Sequence, residues 1–148
     1  MKTPVYFILL GALLLASFSG NESKKKSKTV SNVVIKDQKF QKTYDSYGYR
    51  LDITYPKISC MQAGVSDAMN TYVHLALSKA TDDFTKTVER HFSKSGSYHT
   101  FRVNYKVLYS TADLVSISFS GEAKFVDDAK VMKYAETLNY NIGAREFP

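Results

Sequence analysis

YRLDITYPKISCMQAGVSDAMNTYVHLALSKATDDFTKTVERHF, residues 49–92, changes its hydrophobic period once, and that change decides the fold. Tyr49, Leu51, Ile53 and Tyr55 alternate with Arg50, Asp52 and Thr54. A period of two belongs to a strand with one buried face. Pro56 is expected to end it, because proline has no N–H to give to a ladder. Between Ala63 and Phe92 the apolar spacing lengthens to three and four: Val65, Met69, Tyr72 or Val73, Ala76, Leu77, Ala80, Phe84, Val88 and Phe92. That stripe predicts one long amphipathic helix, with Ser66 or Asp67 near its start to cap free backbone amides. The opposite side carries Asp67, Asn70, Ser78, Lys79, Asp82, Lys86 and Glu89, and the loop signal at residues 93–97, with Gly96 inside, stops the helix.

Working outward, Val33, Val34 and Ile35 read as a first strand, followed by a polar stretch through Lys42 that either continues it or loops. After the helix, Phe101, Val103, Tyr105, Val107 and Tyr109 alternate with polar residues. A turn at residues 111–113 then leads into Val115, Ile117 and Phe119. The two runs form a long hairpin. Gly121 reads as a bulge or bend, and Ala123 and Phe125 extend the second strand to a polar turn at Asp127 and Asp128. Leu138, Tyr140 and Ile142 make a last strand ending at Gly143. The fold class is therefore α+β: an antiparallel sheet of about four to five strands, order β-β-α-β-β-β, with the helix packed on one face. The other face would carry Arg102, Asn104, Lys106, Ser116 and Ser118, either solvated or as a binding surface.

The chain of 148 residues, 44% hydrophobic and 14% aromatic, is enough for one core. Its first residues read differently. Lys2 precedes an apolar run at residues 5–15, and Ser17 and Ser19, on either side of Phe18, offer small residues at the two positions a signal peptidase reads. The run falls short of the roughly 20 residues a spanning helix needs. The expected organisation is a signal peptide at 1–19, a basic flexible tether at 20–32, and a single α+β domain at 33–148. The product is then exported to the periplasm, the cell surface or the medium, with no stable membrane span after cleavage. No cysteine sits near the cleavage site, which argues against a lipid-modified amino terminus.

The net charge is +6, and much of the excess is one cluster: Lys24, Lys25, Lys26 and Lys28. Like-charge runs are usually solvated linkers. The sharper reading is attraction to a phosphate-rich envelope polymer or lipid headgroups. Nucleic acid is not expected, since the cluster lacks interleaved aromatics. The single cysteine, Cys60, forbids an intramolecular disulfide and reads as a small buried apolar residue; pairing between molecules is the alternative.

The sequence contains little that points to catalysis. His74 and His91 fall about 100° apart around the helix and cannot share a ligand without help. His99 stands at the start of a strand, and all three histidines read as ordinary surface or half-buried residues. Asp82 and Asp83 are neighbours on a helix and point apart. Asp127 and Asp128 suit a turn. No nucleophile elbow, phosphate loop, paired-cysteine zinc motif or helical metalloprotease motif occurs, so no catalytic residue, metal or cofactor is expected.

The segment from Leu51 to Gly143 resembles an envelope domain found at the amino terminus of PdaC-type peptidoglycan deacetylases and in RsiV-type lysozyme-sensing anti-sigma factors. Ile53, Thr54, Tyr55, Pro56, Lys57 and Ile58 carry the resemblance, with Asn70, residues 115–119 and residues 137–141. In larger relatives a second domain bearing the metal site or more of the lysozyme-binding surface follows. The resemblance therefore implies an accessory or sensing module and no catalytic residue.

The leading expectation is an exported, non-catalytic binding or sensing module contacting cell wall or anionic envelope polymer, with Lys24, Lys25, Lys26, Lys28, Arg102 and Lys106 as contact residues. A protein partner is the second reading, as an inhibitor or sensor of a lysozyme-like hydrolase. A positive mature chain would oppose encounter with a basic lysozyme. A cryptic glycan hydrolase is the third, and needs two carboxylates converging about 5 to 9.5 Å apart.

Overall fold

A computed structural model describes residues 33–90, 96–126 and 131–148. The expected signal peptide, the tether with its four lysines, His91, Phe92, Asp127 and Asp128 lie outside the described residues. Five strands and one helix follow in the order β1 (Val34–Tyr44), β2 (Tyr49–Ser59), α1 (Ala63–Arg90), β3 (His99–Ser110), β4 (Leu114–Lys124) and β5 (Val131–Asn141). They form one sheet in sequence order, β1-β2-β3-β4-β5, with α1 packed over one face. The α+β class and the element order are those the hydrophobic periods predict.

The sheet is mixed rather than wholly antiparallel. β2 and β3 pair in parallel, Tyr49 with His99 through Ile53 with Val103, and every other pair is antiparallel. The cause is the helix between them. Its 28 residues span about 42 Å and return the chain to the end of the sheet where β2 began. A neighbouring strand started there must run parallel.

Packing explains the helix. Val65, Met69, Val73, Leu77, Ala80, Phe84 and Val88 are buried against the sheet. Val73, not Tyr72, fills the stripe. Tyr72 sits at its margin, stacked on Phe147 at 4.8 Å between ring centres and donating its hydroxyl to Glu136 at 3.0 Å. From the sheet side Leu51, Ile53, Phe101, Val103, Ile117, Phe119 and Leu138 complete the core. Around Phe84 an aromatic group assembles: Phe101 stacks on it at 5.2 Å, and Tyr49 meets it edge-on at 5.8 Å.

Several local expectations are corrected. The polar stretch after Ile35, read as either strand or loop, continues β1 to Tyr44, paired along its length with β2. β5 begins at Val131, seven residues before Leu138, where its alternation is hidden by exposure. Gly121 is neither bulge nor bend, since it pairs one-to-one with Val103 and Tyr134; the register shift lies between Val107 and Tyr109. Ser66 does not cap the helix. Its hydroxyl accepts the Cys60 N–H at 2.8 Å, closing the strand-to-helix junction. Cys60 is half-buried, and its thiol donates to the Gln62 carbonyl at 3.2 Å instead of resting in the core.

Pro56 does not end β2, which runs on to Ser59. Pairing with β3 stops at Ile53, so the later residues of β2 have one open edge. At Ile58 that edge is closed by a side chain. Asn70 accepts the Ile58 N–H at 2.9 Å and donates back to its carbonyl at 2.7 Å. Residues two apart in a strand turn their backbone groups to the same edge. Pro56 therefore faces the open edge too, where it has no ladder to break. Asn70, expected on the solvent side of the helix, stands in for a missing strand. Asn70→Ala leaves both Ile58 groups unpaired and is expected to cost about 2 kcal/mol, read as a lower urea midpoint with unchanged slope.

Candidate functional site

The sheet face opposite α1 is uncovered among the described residues, and the strand alternation makes it polar. β3 turns Val103 inward and Arg102, Asn104 and Lys106 outward, all three exposed; β4 turns Ile117 and Phe119 inward and Ser116, Ser118 and Ser120 outward. Register then sets the order of side chains. One row crosses all five strands: Gln41, Asp52, Arg102, Glu122 and Lys133. A second places Lys106 opposite Ser118, and Ser118 opposite Thr137.

Within the first row, Gln41 donates to Asp52 at 2.9 Å and Arg102 lies 3.8 Å from the same carboxylate. The Arg102 and Asp52 side chains are 61% and 45% exposed, so water competes with the pair and it adds little stability. Lys124 meets Glu122 at 3.0 Å. Ser116 donates to Asn139 at 2.7 Å. Lys106 has no acid within salt-bridge distance among the described residues. Arg102 and Lys106 stand four residues apart on one face, roughly 13 Å along the strand. With the neighbouring serines they form a band of donors and hydroxyls on an open sheet face.

One end of this face is aromatic. The Arg50 guanidinium lies over the Tyr98 ring, 4.1 Å from its centre, and the Tyr98 hydroxyl donates to Asp45. Gly48 takes φ of 64°, a left-handed conformation that brings the chain from the short 3-10 turn Asp45–Tyr47 into β2.

His99 is buried, and its Nδ1 accepts the Val126 N–H at 3.0 Å. His74 meets Tyr55 edge-on at 5.9 Å, and burial lowers its pKa. Asp82 and Asp83 stay on successive positions of α1, as their spacing requires. Among the described residues no group of three or more His, Cys, Asp or Glu side chains is placed to hold a metal ion, and no helix is long and apolar enough to cross a membrane.

Burial raises several tyrosines well above their usual 10. Tyr55 is pushed to about 12, Tyr105 to about 12 with help from the Asp37 carboxylate, and Tyr134 to about 12 with help from Glu136. A phenol that ionises later in the folded chain than in the unfolded one stabilises the fold below pH 10. That contribution disappears as pH climbs from 10 towards 12. Tyrosinate absorbance is therefore expected to rise in two stages, exposed rings first, and the buried ones together with loss of helical circular dichroism.

Comparison with known proteins adds the fold alone. No protein-family model matches the sequence, and no curated protein matches it. A solved DUF3298 family member from Bacteroides fragilis is similar with a TM-score of 0.58 and 10% identity over 82% of this chain. A DUF3298 family protein from Pseudomonas aeruginosa gives a TM-score of 0.46 and 12% identity over 81%. This chain spans 60% of the first protein's length and 56% of the second's. The chain thus shares the fold of a DUF3298 protein, a domain of unknown function.

Proposed function

We propose that this chain is an exported, non-catalytic cell-envelope module that binds wall or anionic envelope polymer through the outer sheet face, assisted by Lys24, Lys25, Lys26 and Lys28. The observation that carries the reading is the asymmetry of the sheet. α1 packs over one face, while the other presents exposed Arg102, Asn104 and Lys106 beside a field of serine and threonine hydroxyls. A flat array of cations and small hydroxyls suits an extended polymer of phosphates and sugars better than a compact substrate. The signal-like first residues and the resemblance to envelope domains point the same way.

Co-sedimentation of the purified chain with isolated peptidoglycan, with and without its bound anionic polymer, tests the proposal across a salt series. Retention should require the anionic polymer and fade as salt screens exposed charge. Replacing the four clustered lysines with serine should weaken it at low salt. No retention on either material at low salt would overturn the proposal.

A further inference from the structure

We infer that β5 and α1 together form a docking groove for an extended peptide of a partner protein, separate from the polar face. β5 is an edge strand. Among the described residues its outer edge carries only the isolated bridge of Asn141 to Glu146, leaving residues 131–140 without a strand partner there. Beside that edge, between α1 and the sheet, lies a groove of about 260 Å³. Its floor is apolar, with Phe84 and Phe101 buried beneath it, and its walls are Lys79 and Asp83 of α1 and Met132, Tyr134 and Glu136 of β5.

An edge strand lying along a helix is the arrangement in which a peptide adds as a further strand. Main-chain hydrogen bonds supply affinity, and alternate side chains enter the groove. Two observations favour an occupant. The Tyr134 hydroxyl is buried with no hydrogen-bond partner among the described residues. Such groups in native structures call for explanation. Met132 at the groove's end is 45% exposed and Val131 39%, an unusual pair on a free edge.

Cross-strand pairing defines the peptide's chemistry. Side chains directly opposite one another sit within contact distance on the same face. Met132, Tyr134 and Glu136 share the groove face, opposite Ala123, Gly121 and Phe119 of β4. The matching peptide carries an apolar residue opposite Met132, a residue whose side-chain carbonyl accepts from the phenol, such as glutamine, opposite Tyr134, and a lysine or arginine opposite Glu136.

The test titrates the isotope-labelled full-length chain with the synthetic peptide Val-Thr-Gln-Thr-Lys and follows amide shifts. Saturable shifts should appear in residues 131–137 and on the groove side of α1, leaving Arg102 and Lys106 unmoved. N-methylation of alternate peptide amides, and separately Met132→Lys at an exposed position that leaves the fold intact, should each weaken binding about fivefold. No shifts at peptide concentrations near about 1 mM, equal binding by the methylated peptide, or pairing of β5 with a second copy in the absence of peptide would overturn the inference.

Discussion

Phe119→Ala is expected to remove about 3 to 5 kcal/mol of stability, enough to leave much of the chain unfolded if its total lies at the low end of the usual range, about 5 kcal/mol. Phe119 is fully buried at the centre of β4. It pairs with Tyr105 on one side and Glu136 on the other. Truncation removes the ring's transfer energy and leaves a cavity in a sheet fixed by pairing on both sides, so collapse cannot fill it. A shift in the urea midpoint at constant slope measures the loss. A cost below about 1 kcal/mol would mean that the core closes around the gap, and that packing on the α1 side is looser than described.

Gly121→Val carries the second large effect, and here two principles oppose each other. Valine favours strands and glycine weakens them, so propensity alone predicts a gain. Geometry predicts the reverse. A Cβ at this position would stand 2.4 Å from the Arg102 carbonyl oxygen and 3.0 Å from Val103 Cγ2. The first contact is backbone and cannot rotate away. β3 and β4 would have to separate where they hold Val103 and Phe119, at a cost of about 3 kcal/mol. Gly121→Ala meets the same first contact and should lose most of that amount. Thermal melts of both variants, with wild type beside them, separate the alternatives by sign.

These effects bear on what residues reveal before a structure is seen. The helix and the β3–β4 hairpin were legible because α1 and β4 bury one face along their length and β3 does so as far as Val103, so periods of 3.6 and 2 stand out. The ends of the sheet were not. β1 and the first half of β5 are edge segments whose side chains are mostly exposed, as at Lys36, Lys39, Lys133 and Ala135. Exposure on both faces erases the alternation. Pro56 misled because its cost depends on whether a neighbour needs its N–H, and the answer lies in Asn70, on another element. The parallel β2–β3 pair follows from where a helix of this length returns the chain, a property of geometry beyond any single residue.

The candidate face divides in the same way. Arg102 and Lys106 were identifiable as outward-facing from alternation alone, and the structure places both on the uncovered side of β3. The row joining Gln41, Asp52, Arg102, Glu122 and Lys133 needs the register of five strands and could not be read in advance. The groove beside β5 escaped notice for a related reason: Lys79, Asp83, Tyr134 and Glu136 look like unremarkable surface residues until helix and edge strand are placed together.

Amide-shift mapping with soluble polyglycerol phosphate tests most directly the claim that the uncovered sheet face is the contact surface. Perturbations are expected on the outward residues of β3 and β4, centred on Arg102, Lys106 and Ser118, and separately at the lysine cluster, all fading as salt is raised. Perturbations confined to α1 and the groove beside β5, or none at low salt, would contradict it.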